Sequence, residues 1–114
     1  MEHKFQMEEL YEEINKLATM DDLATKASLS DHLGKMTEEV GEFAKEINRL
    51  TGRKTRSFFD STDDITRNAA AEGADAIQCI INVLTRIGVT YEEFLVALKK
   101  SNKNYEAWVE SKVK

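Results

Sequence analysis

The chain has 114 residues, of which 32% are charged, a net charge of −5 and one cysteine, Cys79. That length suits one compact domain. The acidic balance excludes the broad basic face that a nucleic-acid polymer requires. A lone cysteine excludes an internal disulfide and fits a reducing compartment, and no apolar run approaches the ~20 residues of a membrane span.

There is no proline, and only five glycines occur. Abundant Glu, Lys, Ala and Leu favour helix, and clean alternating strand patterns are absent. The expectation is a single all-α domain over residues 1–114, a bundle of four main helices completed by oligomerisation into a homodimer or homotetramer. The opening residues Met1-Glu2-His3-Lys4 lack the apolar segment of a signal peptide, so a soluble cytoplasmic protein is expected.

In chain order, Met7, Leu10, Ile14 and Leu17 recur at helical spacing and predict a first helix over 2–20. Residues 21–30 read as a connection, with a short helical turn around Leu23. Ser30 or Asp31 is the expected N-cap of a second helix over 31–50. Its stripe is Leu33, Met36, Val40, Phe43, Ile47 and Leu50, and Gly52 supplies the stop.

Residues 52–62 read as a basic loop carrying Arg53, Lys54 and Arg56, anchored by Phe58 and Phe59. Ser61 or Thr62 caps a third helix over 63–87, with Asp63 and Asp64 favourable in its first turn. Apolar residues cover more than half of that helix, which predicts burial on several sides. After Gly88, Thr90 and Glu93 form a capping box for a fourth helix. Phe94, Leu95, Leu98, Tyr105 and Trp108 line its apolar side, the last two as core or subunit contacts.

The chemistry-bearing residues are acidic. Glu38, Glu39 and Glu42 form an E-E-x-x-E run, but Glu8, Glu9 and Glu12 have the same spacing. The pattern alone is weak. At ~100° per residue the first-helix copy points well away from its apolar stripe, whereas Glu39 lies roughly 70° from the centre of its own. Glu42 lies further round and Glu38 nearly opposite.

On the third helix, Glu72 falls inside the apolar arc, and Asp75 follows one turn later. A carboxylate there is costly unless paired, hydrogen-bonded or bound to a metal. A buried structural ion pair is the competing reading. Glu39/Glu42 and Glu72/Asp75 share helix faces at i, i+3, and two such pairs on facing helices form oxygen-only clamps suited to Mg²⁺, with Mn²⁺ as a substitute. Gln78 and Asn82 extend a polar strip from Asp75 that suits a base edge. A di-iron bundle needs Glu-x-x-His, which neither His3 nor His32 provides. Both are read as surface or capping residues, and Cys79 as a buried small hydrophobe.

At these residues the chain resembles the MazG-like all-α nucleoside triphosphate pyrophosphohydrolases, whose pattern is E-E-x-x-E followed on the next helix by E-x-x-D. The likeness extends to Lys35-Met36-Thr37 before the first motif and Ala76-Ile77 after the second, and spans roughly residues 30 to 108. It implies Mg²⁺-dependent cleavage of a (d)NTP between the α and β phosphates, giving monophosphate and pyrophosphate. It also implies Glu39, Glu42, Glu72 and Asp75 as metal ligands, with Glu38 a supporting catalytic carboxylate beside Glu39. A Lys…Asn element in the last helix implies substrate contacts among Lys99, Lys100, Asn102 and Asn104, joined by Lys35 and Asn82. Hydrolysis of phosphoribosyl-ATP and a non-catalytic helical interaction module are the alternatives.

Overall fold

A computed structural model of the chain describes residues 2–52 and 61–113, with side chains from Gln6 onward. The expectations attached to His3, Arg53, Lys54, Arg56, Phe58 and Phe59 lie outside the described side chains. Four helices account for nearly all of the described residues: α1 (Glu2–Thr25), α2 (Leu29–Leu50), α3 (Thr62–Arg86) and α4 (Tyr91–Val113). No strand occurs among them.

The helix ends follow local chemistry. α1 runs on to Thr25, through residues expected to form a connection, because Asp21-Asp22-Leu23-Ala24 contains no breaker. Lys26 then turns the chain with φ 54°. The N-cap of α2 is Ser28, not Ser30 or Asp31 as expected. Its hydroxyl accepts from the Asp31 N–H while the Asp31 carboxylate accepts from the Ser28 N–H, a reciprocal capping box. Ser61 caps α3, and Thr90 with Glu93 caps α4 in the same reciprocal way. Gly52 (φ 79°) and Gly88 (φ 88°) take the left-handed conformation just past α2 and α3, where a Cβ is disfavoured.

α2 packs most extensively against α3, α1 packs less extensively against α3, and the backbone of α4 approaches that of α1 alone. Phe43 meets Gly73 while Lys35 lines one cavity with Cys79, so α2 and α3 run antiparallel. Arg86 in the last turn of α3 pairs with Asp21 in the last turns of α1, so those two helices run the same way. The aromatic knot Tyr11–Tyr91–Phe94 joins α1 to the start of α4. Its ring centroids are 5.6 and 5.4 Å from Tyr11, and the Tyr11 hydroxyl donates to the Val89 carbonyl at 2.8 Å. Burial pushes the Tyr11 phenol up, helped by the charges of Glu12 and Glu93.

The buried apolar set is small: Tyr11, Ala18, Ile65, Ala69, Ala76 and Tyr91. On α1, Tyr11 and Ala18 are buried and Ile14 is half-buried, while Met7, Leu10 and Leu17 are exposed. One expectation is corrected: on α3, Ile77, Ile80 and Ile87 face outward, so the helix is not buried on several sides within one chain. The radius of gyration is 17.2 Å, against about 13 Å for a compact domain of this length. The protomer is open.

Replacing Tyr11 by Phe keeps the ring contacts and removes the hydroxyl from Val89. Urea unfolding is expected to show a loss of about 1 kcal/mol, the usual worth of one such bond, with an unchanged denaturant slope.

Candidate metal centre and its polar cavity

The antiparallel packing of α2 on α3 brings the middle of each helix together, and their carboxylates with them. Glu39, Glu72 and Asp75 each place an oxygen so that all three lie within 4.8 Å of one another. Glu39 and Glu72 are partly buried and Asp75 is exposed. Gly73 permits this approach: a Cβ built there would stand 3.2 Å from Cε1 of Phe43, tighter than ordinary contact.

The donor set suits a hard divalent cation. Glu39, Glu72 and Asp75 would offer such an ion three carboxylate oxygens, the hard donors that Mg²⁺ prefers, and leave room for water and a substrate oxygen. Nitrogen and sulfur donors, which favour softer metals, are absent from the trio.

Without a cation the three carboxylates repel one another. Burial pushes the Glu72 carboxyl above its usual range, and the charges of Glu39, Asp75, Glu42 and Glu46 push it further. Lys35 partly offsets the charge. Its ammonium lies 2.9 Å from Glu39 and 3.9 Å from Glu38. The hydrogen bond to Glu39 holds it above its ordinary value, reinforced by the charges of Glu38 and Glu39.

Beyond this trio the expected site residues separate. Glu42 is exposed and lies outside the 4.8 Å group, although its charge reaches Glu72. Glu38 is exposed beside Lys35. Lys35 and Asn82 both line a polar cavity of about 370 Å³ with Asp21, His32, Gln78 and Cys79. Burial pushes the Cys79 thiol up, followed by the charge of Glu39. Lys99, Lys100, Asn102 and Asn104 are exposed on α4, whose backbone approaches neither α2 nor α3, so one chain does not bring them to the carboxylates.

Two groupings went unread in the sequence. Glu46, one turn beyond Glu42, is buried with Arg49 Nη1 at 2.8 and 3.0 Å from its oxygens. Arg86 holds two of the cavity's lining residues: it bonds Asp21 at 2.9 Å and donates from Nε to Asn82 Oδ1, and it also pairs with Asp22. His32, expected at the surface or in a cap, is partly buried and lines the cavity. Its Nε2 is buried without a hydrogen-bond partner among the described residues, 3.8 Å from Asp21 and 4.0 Å from Asp22. The available signal was an Asp-Asp pair near one helix end and an Arg in the last turn of another, which becomes meaningful only once α1 and α3 are known to run together.

No family model matches the chain, and neither a curated protein nor a solved structure matches it. Among the described residues no helix is long and apolar enough to cross a membrane.

The raised Glu72 value has a thermodynamic sign. A carboxyl whose folded pKa exceeds its unfolded one destabilises the fold when charged, so stability falls as pH rises through that interval. In metal-free protein, Glu72→Gln is expected to raise the melting temperature at neutral pH. The difference from wild type should shrink as pH drops toward the ordinary glutamate range, a trend that scanning calorimetry across pH resolves.

Proposed function

We propose that the protein is a Mg²⁺-dependent nucleotide pyrophosphohydrolase that cleaves a (d)NTP between its α and β phosphates. The observation that carries this reading is the convergence of Glu39, Glu72 and Asp75 from facing helices. The resemblance of the E-E-x-x-E and E-x-x-D pair to the MazG-like enzymes supports the substrate class. The cavity that Lys35 shares with Gln78 and Asn82 supports a nucleotide site there, since Lys35 also bonds Glu39 of the trio.

In this reading Glu39, Glu72 and Asp75 hold the cation and Glu42 is the fourth carboxylate. When bound, Mg²⁺ supplies charge neutralisation for the triphosphate and acidifies a coordinated water. Glu38 accepts a hydrogen bond from the attacking water, orients it and takes its proton. The water oxygen forms a bond to the α phosphorus as the bridging P–O bond to the β phosphate breaks, and pyrophosphate leaves. Lys35 shifts its ammonium from Glu39 toward the substrate phosphates. Asn82 already accepts from Arg86 through its carbonyl oxygen, which orients its amide N–H₂ for a substrate acceptor. Lys99, Lys100, Asn102 and Asn104 join the substrate only across a subunit boundary. The uncovered faces of α1, α3 and α4 support self-association into a homodimer or a tetramer of paired dimers.

The test is pyrophosphate release from a panel of canonical and modified triphosphates, with phosphoribosyl-ATP as a separate arm. Wild type is expected to release pyrophosphate with Mg²⁺ or Mn²⁺ and not with chelator. Glu72→Gln, folded by circular dichroism, is expected to lose at least about 100-fold in rate, the scale of removing one electrostatic stabiliser of a transition state. Undiminished release by the folded variant would sink the ligand assignment. Activity on phosphoribosyl-ATP alone would move the substrate class.

A further inference from the structure

We infer that Asn82 selects the nucleobase: the cavity takes a base whose edge away from the sugar carries a carbonyl oxygen, and rejects one carrying an amino group there. This rests on the nucleotide reading of the cavity and narrows its substrate class. Arg86 is a positioning residue that never touches the base. It fixes which atom Asn82 presents.

A primary amide on its own discriminates poorly. Its oxygen accepts, its nitrogen donates, and a half-turn about the last side-chain bond exchanges the two. Asn82 is denied that half-turn. The Nε–H of Arg86 bonds its side chain, and a guanidinium carries donors only, so the atom it meets has to be the oxygen. Arg86 is itself held. Its side chain is 6% exposed, and its other nitrogens reach Asp21 and Asp22 of α1. With the oxygen committed, Asn82 has only its N–H₂ to offer the cavity that it lines.

The rest of the wall does not reverse that polarity. Its two carboxylates already hold donors. Asp21 Oδ2 accepts from Arg86 at 2.9 Å and its Oδ1 from the Thr25 hydroxyl at 3.1 Å. Asp31 Oδ2 accepts from the Ser28 N–H at 3.0 Å in the cap of α2. The Gln78 amide carries no such lock among the described residues, so it keeps the half-turn that Asn82 has lost and adapts to either kind of edge.

Placement decides which part of a nucleotide Asn82 meets. It stands two turns beyond Asp75 on the same face of α3, about 10 Å along the axis at 1.5 Å per residue. Lys35 spans this interval from α2: it bonds Glu39 of the trio and lines the cavity with Asn82. With phosphates at the trio, sugar and base extend along the interval, and the outer edge of the base comes to the locked amide. A carbonyl oxygen there accepts from the N–H₂. An amino group sets donor against donor and leaves both unpaired beside a half-buried side chain, which costs about 10- to 100-fold in affinity for one such mismatch.

Calorimetry on the full chain with α,β-imido UTP and α,β-imido CTP, each with Mg²⁺, tests the preference. The two ligands differ only at the edge in question. Wild type is expected to bind the uracil analogue about 10- to 100-fold more tightly. Asn82→Asp keeps one oxygen for Arg86 and turns the other atom into an acceptor, so it is expected to invert the order. Arg86→Met, measured where circular dichroism shows it folded, frees the amide to turn and is expected to level the two affinities. Equal binding or a cytosine preference in wild type overturns the inference. So does an Asn82→Asp protein that keeps the wild-type order, an undiminished preference in Arg86→Met, or no binding of either analogue. Pyrophosphate release from UTP and CTP judges the hydrolase reading separately. A protein that binds in the expected order without turnover sinks only that reading, and one that cleaves both with equal kcat/KM overturns only the base preference.

Discussion

The structure depends on the closeness of α2 and α3 at a point where both carry acid. Helix pairs are held together by apolar burial and by side chains that fill one another's grooves. Here Phe43 lies over Gly73, between Glu72 and Asp75, so close that a Cβ would not fit without a shift. The contact that stabilises the pair also presses like charges together. Burial first, and then those neighbouring charges, raise the Glu72 carboxyl above its usual range. Residues in a conflict of this kind are expected where function opposes stability.

Around that point the chain distributes its ion pairs unevenly. At one end of the α2–α3 contact Glu46 is closed off by Arg49, and at the other Arg86 gathers Asp21, Asp22 and Asn82. Glu46 and the Arg86 side chain are buried, whereas Asp21 and Asp22 stay half-exposed; in each cluster a guanidinium faces the carboxylates, its planar fork matching theirs. Among the described residues the central trio has no arginine and one lysine, which reaches only Glu39. The ends of the interface are therefore closed by arginine, while the middle carries more negative charge than the described side chains neutralise.

The four helices were legible because their stripes, caps and stops are local properties. Thr90/Glu93 and Ser61 cap as their spacing indicates. The boundary near residue 21 was not, because Asp21-Asp22 resembles a connection while the helix continues through it to reach Arg86. For the site, the angular position of Glu39 and Glu72 on their helices separated them from the decoy at Glu8 to Glu12. The wheel cannot rank residues by what another helix brings to them. Glu42 has the same i, i+3 relation to Glu39 that Asp75 has to Glu72, yet only Asp75 joins the trio. The exposure of α3 was misjudged for a related reason. An apolar face announces that something covers it, not that the same chain does.

Lys35 has one more consequence. Its ammonium already sits on Glu39, so the site carries a tethered univalent counterion on a flexible stem. A free cation that enters does not meet a bare negative well. It has to exchange with an ion held at very high effective concentration. Potassium or sodium gains little from such an exchange, since it brings the same single charge as the lysine it displaces. A divalent ion brings twice that charge and releases the lysine toward solvent. In the proposed metal centre the tether would act as a valence filter, biasing the site against the abundant monovalent ions of any saline medium through charge alone.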